Sequence, residues 1–444
     1  MWRWVDQDSA ASVAGLSDPS NGKANGSNGW ASVSAGGRHL VGLLPKCLNQ
    51  MPWGITYALV PDLPMARQLL GPPSQALRRK RGEIFYATHT YKLRSRLRLG
   101  MHDRGEAYVF ADLPMEERDR TGLARHLPLH LKTIRLETLQ MAPGQILDIT
   151  SHHEIWRDLH FREELYVALV VDRIIAAAGS EIVVRGNVAV IDIGRIQAPE
   201  DGIFEINILG TDHAAFSSAR TLKAEDGATG LTGESGAAGR PSEISATFIG
   251  PQLLDLGAPD GGEGQPGLVG ATGSHGQNGG LAMLADIRIG TLEGFRAGGL
   301  RIVGAAGSGY PGGAGGCGGA GGSGGHAEEV PEGFALAPGR AGAGGRGGNG
   351  GVGGRGGNGG LASNIFVTVP EWDKKMVALL PQPSRGGTGG RGGAGGRGGA
   401  GGHACINGLI ALAGEDGISG ADGLDGKWRE GPPMWLFSTM NDYN

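Results

Sequence analysis

Residues Arg385–His403 read RGGTGGRGGAGGRGGAGGH, a pair of glycines followed each time by one other residue. That residue is in turn Arg385, Thr388, Arg391, Ala394, Arg397, Ala400 and His403. The same rule holds over Gly344–Gly360, with Arg346, Asn349, Val352, Arg355 and Asn358 in the third place, and over Gly312–His326, with Ala314, Cys317, Ala320, Ser323 and His326. Looser triplets with a single glycine occupy Gly227–Gly239, Gly261–Gly279 and Gly414–Gly426, which makes six runs, all in the second half of the chain.

A period of three fits neither an α-helix nor a strand. It fits the polyproline-II helix, which has 3 residues per turn and a rise of about 3.1 Å. Each triplet position then forms one stripe along the helix, so a Gly-Gly-X run has two bare stripes and one decorated stripe. An isolated helix of this type has no internal hydrogen bonds, and ordering glycine costs the most entropy. Several runs must therefore satisfy one another's backbones. Collagen would need abundant proline, and these runs are nearly free of it apart from Pro266 and Pro311. A flexible linker has no reason to hold a three-residue phase or to be interrupted by apolar stretches such as Asn364–Val369. The sequence predicts a bundle of glycine helices, with Gly-Gly-X runs in the crowded positions and Gly-X-X runs at the edges.

The runs over Gly227–Gly426 resemble the polyglycine-II bundles of T-even-type phage tail-fibre-tip adhesins and of springtail glycine-rich antifreeze proteins. They also resemble the glycine-rich domains of mycobacterial PE-PGRS proteins. The resemblance lies in repeat chemistry alone and implies a binding or structural role rather than catalysis.

Of the 86 glycines in this 444-residue chain, 19 precede Gly227 and 67 lie from Gly227 onward. Composition therefore predicts a mainly β protein in four parts. These are a mixed α/β region with an irregular arm (1–128), a β-rich domain (129–226), a polyglycine-II bundle joined by short β segments (227–426) and a C-terminal cap (427–444). In the second part, Val167–Ile175, Glu181–Val184, Asn187–Ile193 and Ile203–Leu209 carry alternating Val and Ile, and turns fall at Gly179-Ser180, Gly186-Asn187 and Glu200-Asp201-Gly202. This spacing suits a β-solenoid or a β-sandwich, with preference for a solenoid whose open end the glycine helices continue. Helices are expected over Asp112–Leu127 and from the capping box at Ser151 to about Glu164. The segments between runs, among them LAMLADIRI, LASNIFVTV and HACINGLIAL, read as strands flanking the bundle and as duplicated units.

The net charge of −4 gives no global pull toward nucleic acid or anionic membrane. Three cysteines make no disulfide framework. No segment has the length of a membrane span, and the N-terminus lacks a classical signal peptide. The expected location is extracellular or on a particle surface, reached after a cytoplasmic stage. Arg78, Arg79, Lys80 and Arg81, with Lys92, Arg94, Arg96 and Arg98 on an alternating strand, form a basic patch for an anionic partner or a solvated face. Arg346, Asn349, Arg355, Asn358, Arg391 and Arg397 form candidate ligand stripes, whose alternative role is to keep the glycine surface soluble. Trp2, Trp4, Trp428 and Trp435 are candidate assembly anchors.

No cofactor or metal motif stands out, because the adjacent residues His152, His153 and Glu154 point to different sides of a helix. The leading expectation is a non-enzymatic protein that self-assembles through bare glycine stripes into a fibre, sheet or homo-oligomer. Alternatives are an adhesin that binds a cell-surface glycan or receptor at the tip of a phage-like particle, and a carbohydrate-active solenoid enzyme. Asp148, Asp172 and Asp192 are the carboxylates considered for the last.

Overall fold

The computed structural model describes residues 3–5, 30–32, 38–41, 44–87, 106–112, 124, 127–151, 165–199, 202–211, 224–329, 337–404 and 409–439. The expected strand 91–99 and the helix from Ser151 lie outside these residues, as does most of the expected helix 112–127.

The fold is mainly β. The N-terminal region contributes β1 (Arg3–Val5), β2 (Trp30–Ser32), β3 (Arg38–Val41) and β4 (Gly54–Val60). The central region contributes β5 (Leu129–Gln140), β6 (Ile146–Asp148), β7 (Leu165–Ile175), β8 (Glu181–Arg185), β9 (Val188–Gln197) and β10 (Phe204–Leu209). Beyond the first glycine run come β11 (Glu243–Thr247), β12 (Gly250–Asp255), β13 (Ala285–Glu293), β14 (Leu300–Ala305), β15 (Ile365–Pro370), β16 (Val377–Gln382) and β17 (Met434–Thr439). A nine-stranded sheet has the order β1-β3-β4-β5-β7-β9-β13-β15-β17, and a six-stranded sheet has the order β16-β14-β10-β8-β6-β2.

From β5 to β17, with the β11–β12 hairpin set aside, the chain alternates between the two sheets, one strand in each per coil, and every pairing is parallel. This is a two-sheet β-solenoid. Alternation along each strand explains it: Val167, Leu169 and Val171 face the second sheet, while Tyr166, Ala168 and Val170 face outward. The core between the sheets stacks aliphatic residues coil upon coil, including Leu169, Ile191, Ile287 and Val367 from one sheet and Ile182, Ile206 and Ile302 from the other. At the turn after β8, Gly186 has φ 65°, and a Cβ there would meet Thr211 Oγ1 at 2.3 Å.

A second core covers the outer face of the nine-stranded sheet. It involves α1 (Leu63–Leu69), α2 (Gln75–Ala87) and α3 (Glu106–Phe110). Leu69, Leu70 and Phe110 pack there with Tyr166, Val190 and Phe366. Asp62 caps α1 by accepting the Met65 N–H at 2.8 Å. From α2, Arg81 is fully buried, pairs Asp286 through Nη1 and Nη2 (3.0 and 2.6 Å), and lies 4.5 Å above the Phe366 ring.

The glycine runs leave the solenoid in hairpins. Runs one and two join β10 to β13, runs three and four join β14 to β15, and runs five and six join β16 to β17. Each pair replaces one crossing from the six-stranded to the nine-stranded sheet. Runs one, three and five therefore extend strands of the first, and runs two, four and six lead into strands of the second. Bonds recur every third residue. Gly230, Gly233 and Gly236 donate to Cys317, Ala320 and Ser323, and Gly315, Gly318 and Gly321 donate to Arg391, Ala394 and Arg397. The two runs of a hairpin are antiparallel, whereas runs in one row are parallel.

Register passes from sheet to bundle almost unchanged: Ala285 pairs Ile365 in the sheet, and Gly279 N–H bonds Asn358 O in the bundle. The helices thus prolong the strands lengthwise instead of stacking on the solenoid's open end, because it is the crossing between sheets that lengthens. Glycine content changes at Asp226, but strands β13 to β17, all beyond it, continue the same two sheets. Of the three similar phrases, 281–289 and 361–369 are equivalent, with Ala282 bridging Ala362, while 403–412 turns at the far end of the last hairpin, where His403 bridges Ile410. The third equivalent strand is β17, so the expected cap is partly an edge strand of the solenoid.

Candidate functional site

Glycine is required wherever two runs touch. A Cβ on Gly315 would meet Gly351 O at 2.0 Å, and one on Gly316 would meet Ala228 O at 2.0 Å. Runs three and four each bond to four neighbours, runs two and five to three, and runs one and six to two. The Gly-Gly-X runs three and four therefore hold the crowded middle and the Gly-X-X runs one and six hold the edges, whereas run five, also Gly-Gly-X, is no more crowded than the Gly-X-X run two. Every glycine stripe of the described runs faces another backbone. The X residues stand outward, with Arg346, Asn349, Arg355, Arg391 and Arg397 exposed and Asn358 half-buried.

These stripes are knitted into the bundle. Asn349 and Asn358 accept the N–H groups of Ile418 and Lys427 at 3.0 and 2.9 Å. The Arg355 N–H donates to His275 Nδ1 at 3.0 Å, and Arg346 lies 3.9 Å from Glu415. Along the outer edge of run five, Asp425, Asp422 and Asp416 accept the N–H groups of Gly389, Gly392 and Gly398 at 2.7, 2.7 and 2.8 Å. In run three the equivalent glycines donate to carbonyls of the next run, so carboxylates here take the place of a seventh helix. Arg391 and Arg397 adjoin two of these capped glycines, which places guanidinium groups beside a column of carboxylates. At the opposite edge the side chains of Leu231 and Leu268 are 71% and 56% exposed and stand where a further backbone would lie.

The expected basic patch is not a single surface. Arg79 and Lys80 are exposed, Arg78 donates to Pro72 O at 2.8 Å, and Arg81 is buried on Asp286. Lys92, Arg94, Arg96 and Arg98 lie outside the described residues. Trp4 pairs Leu40 in β1, Trp428 is exposed, and Trp435 donates to Asn364 Oδ1 at 3.2 Å. Trp2 lies outside the described residues.

All three hairpins turn at the same end, far from the solenoid. The first hairpin turns through the antiparallel pair β11–β12, whose tip residues Phe248 and Ile249 are 107% and 96% exposed. Leu254 and Leu256 are 66% and 59% exposed, and Leu409, Ile410 and Leu412 add apolar surface at the last turn. Between the second and third hairpins, the His326 and His403 rings stack at 5.2 Å, and the His403 N–H donates to His326 Nδ1. The sequence signal for this tip was a run of apolar residues closed by Phe248-Ile249-Gly250 between two glycine runs.

At the base, a cavity of about 260 Å³ is lined by Arg185, Thr211, Ser308 and Tyr310 beside the C-terminal ends of β10 and β14. Asp148, Asp172 and Asp192 do not share a sheet: Asp148 is on β6 beside Arg185, and the other two are on β7 and β9. Burial pushes the Asp192 carboxyl up. The carboxylates that do oppose each other are Glu181 and Glu205. Burial and then Glu205 push Glu181 up, while Arg301 contacts Glu205 at 3.2 Å. Among the described residues no group of three or more His, Cys, Asp or Glu side chains could hold a metal ion, and no helix is long and apolar enough to cross a membrane. His152, His153 and Glu154 lie outside the described residues.

No protein-family model, curated protein or solved structure matches this chain.

Proposed function

We propose that the chain is a non-enzymatic binding protein, an adhesin in which the solenoid is the mount, the glycine bundle is a rigid stalk, and the far turns contact a cell-surface receptor or glycan. The observation that carries this reading is the β11–β12 tip, where Phe248 and Ile249 stand wholly in solvent at the end of a stalk about 56 Å long for an 18-residue run. Exposed aromatic and aliphatic residues on a preordered turn are the kind of anchor that binding interfaces concentrate. Assembly through bare glycine stripes has less support, because the stripes of the described runs face inward and both edges of the bundle are closed by side chains.

The test is labelled full-length protein applied to a panel of bacterial cells and to a glycan array, alongside the double variant Phe248→Ser, Ile249→Ser. Binding that the variant loses while keeping its circular dichroism and melting temperature supports the reading. Binding that survives the double substitution removes the tip from the role.

A further inference from the structure

The bundle ends behind caps, but the solenoid beside it does not. In the interior, β15 is buried along its whole length, whereas β16 and β17, the last strands of their sheets, are only partly covered. Met376, Val377, Leu379, Met434 and Leu436 pack on the core while still reaching solvent. Neither edge carries a charged residue: β16 reads VALLPQ and β17 reads MWLFST. Exposed edges are normally blunted with charges or bulges, and within these two strands the one such device is Pro381. Both edges are six residues long, and in register they flank β14 and β15 at the same end of the stack.

We infer that this end of the solenoid is the interface of a two-fold homodimer in which β17 pairs antiparallel with its copy and β16 with its own. A partner that covers both edges at once must present two strands at the spacing of two stacked sheets. The end of a second copy does this by symmetry, since an isologous contact is self-complementary. The alternative two-fold axis, along the strands, would lay the edges of the two bundles side by side. That would set the outer edge of run five against the edge of the second copy, where Asp416, Asp422 and Asp425 already take the N–H groups that a pairing backbone would need. The antiparallel arrangement points the two stalks in opposite directions and keeps these edges apart. The inference is independent of the adhesive reading, and either can fail alone.

Ile365 N–H bonds Pro433 O, and parallel pairing then turns the N–H groups of Trp435 and Phe437 toward β15 and those of Leu436 and Ser438 outward. Ser438→Pro therefore removes an edge donor without touching the inner ladder, and Ser438→Ala controls for loss of the hydroxyl. Multi-angle light scattering on the full chain at micromolar concentrations should give a dimer for the wild type and for Ser438→Ala. Ser438→Pro should give a monomer with unchanged circular dichroism and a melting temperature that, unlike the wild type's, does not rise with protein concentration. Hydrogen exchange at the Leu436 amide, the edge donor that both proteins keep, should be slowed in the wild type and fast in Ser438→Pro. A monomeric wild type, an open-ended polymer, or a Ser438→Pro protein that remains dimeric with a protected edge would overturn the inference.

Discussion

The solenoid and the glycine bundle are continuous in chain and in register, yet they are held together by opposite means. In the solenoid, side chains fill the space between the sheets and hydrogen bonds lie within each sheet. In the bundle, backbones fill that space themselves, bonding run to run, and side chains are confined to the outside. A solenoid position loses stability when a side chain is removed, and a bundle position when one is added.

The largest effect should come from adding one methyl group. In Gly351→Ala the new Cβ would lie 2.0 Å from Ala271 O, a backbone atom fixed by bonds on both sides. The expected loss is on the order of 5 kcal/mol, read as a collapse of the bundle's melting transition. The adjacent outward Val352→Ala should change stability by less than about 0.5 kcal/mol. If the two variants melt alike, the distinction between the regions fails.

Next is the ion pair that ties α2 to the sheet. Burial by itself would raise the Asp286 carboxyl, but Arg288 and Arg81 together hold it below the usual range. Arg81→Met leaves that carboxylate buried with one partner and should cost about 3–5 kcal/mol, measured by urea unfolding. Ile206→Ala in the solenoid core should cost about 2–5 kcal/mol. It sharpens the comparison if hydrogen exchange across run three stays protected while β10 loosens.

A smaller effect depends on pH. Burial lowers the Lys132 ammonium to about 8, even though it donates to Ile149 O and Thr150 O. The unfolded chain therefore binds more protons than the fold between about pH 8 and the ordinary lysine value of 10.5. Over that window the wild type should gain about 2–3 kcal/mol relative to Lys132→Met, seen as converging or crossing melting curves at pH 7 and pH 10. The smallest effect belongs to the outer stripes: Arg391→Ala and Arg397→Ala should each stay within about 0.5 kcal/mol, with solubility at low salt as the sensitive readout.

The period of three made the bundle legible, because it fits one helix type and demands partners. Alternating Val and Ile made the central strands legible as well. The routing was not: nothing in LAMLADIRI or LASNIFVTV states that these segments rejoin sheets begun a hundred residues earlier, since strand pairing across an excursion leaves no local pattern. Arg81 read as surface because it sits in RRKR, and its partner Asp286 lies far away in sequence. The Asp416, Asp422 and Asp425 caps were visible as a recurring third-place acid, but their role needed the position of run five. The tip was legible as an apolar interruption, and its exposure was not, because apolar segments between runs are in other cases strands of the core.

The carry-over of register from strand to helix makes the stalk a measuring rod. Neighbouring runs agree only in steps of three residues, so length can change only by whole triplets. Each triplet added to all six arms would move the tip outward by about 9 Å. A single inserted residue would rotate the bare stripes away from their neighbours. In this architecture, distance from the mount is a quantity that duplication and deletion can edit in fixed increments, without redesign of either end.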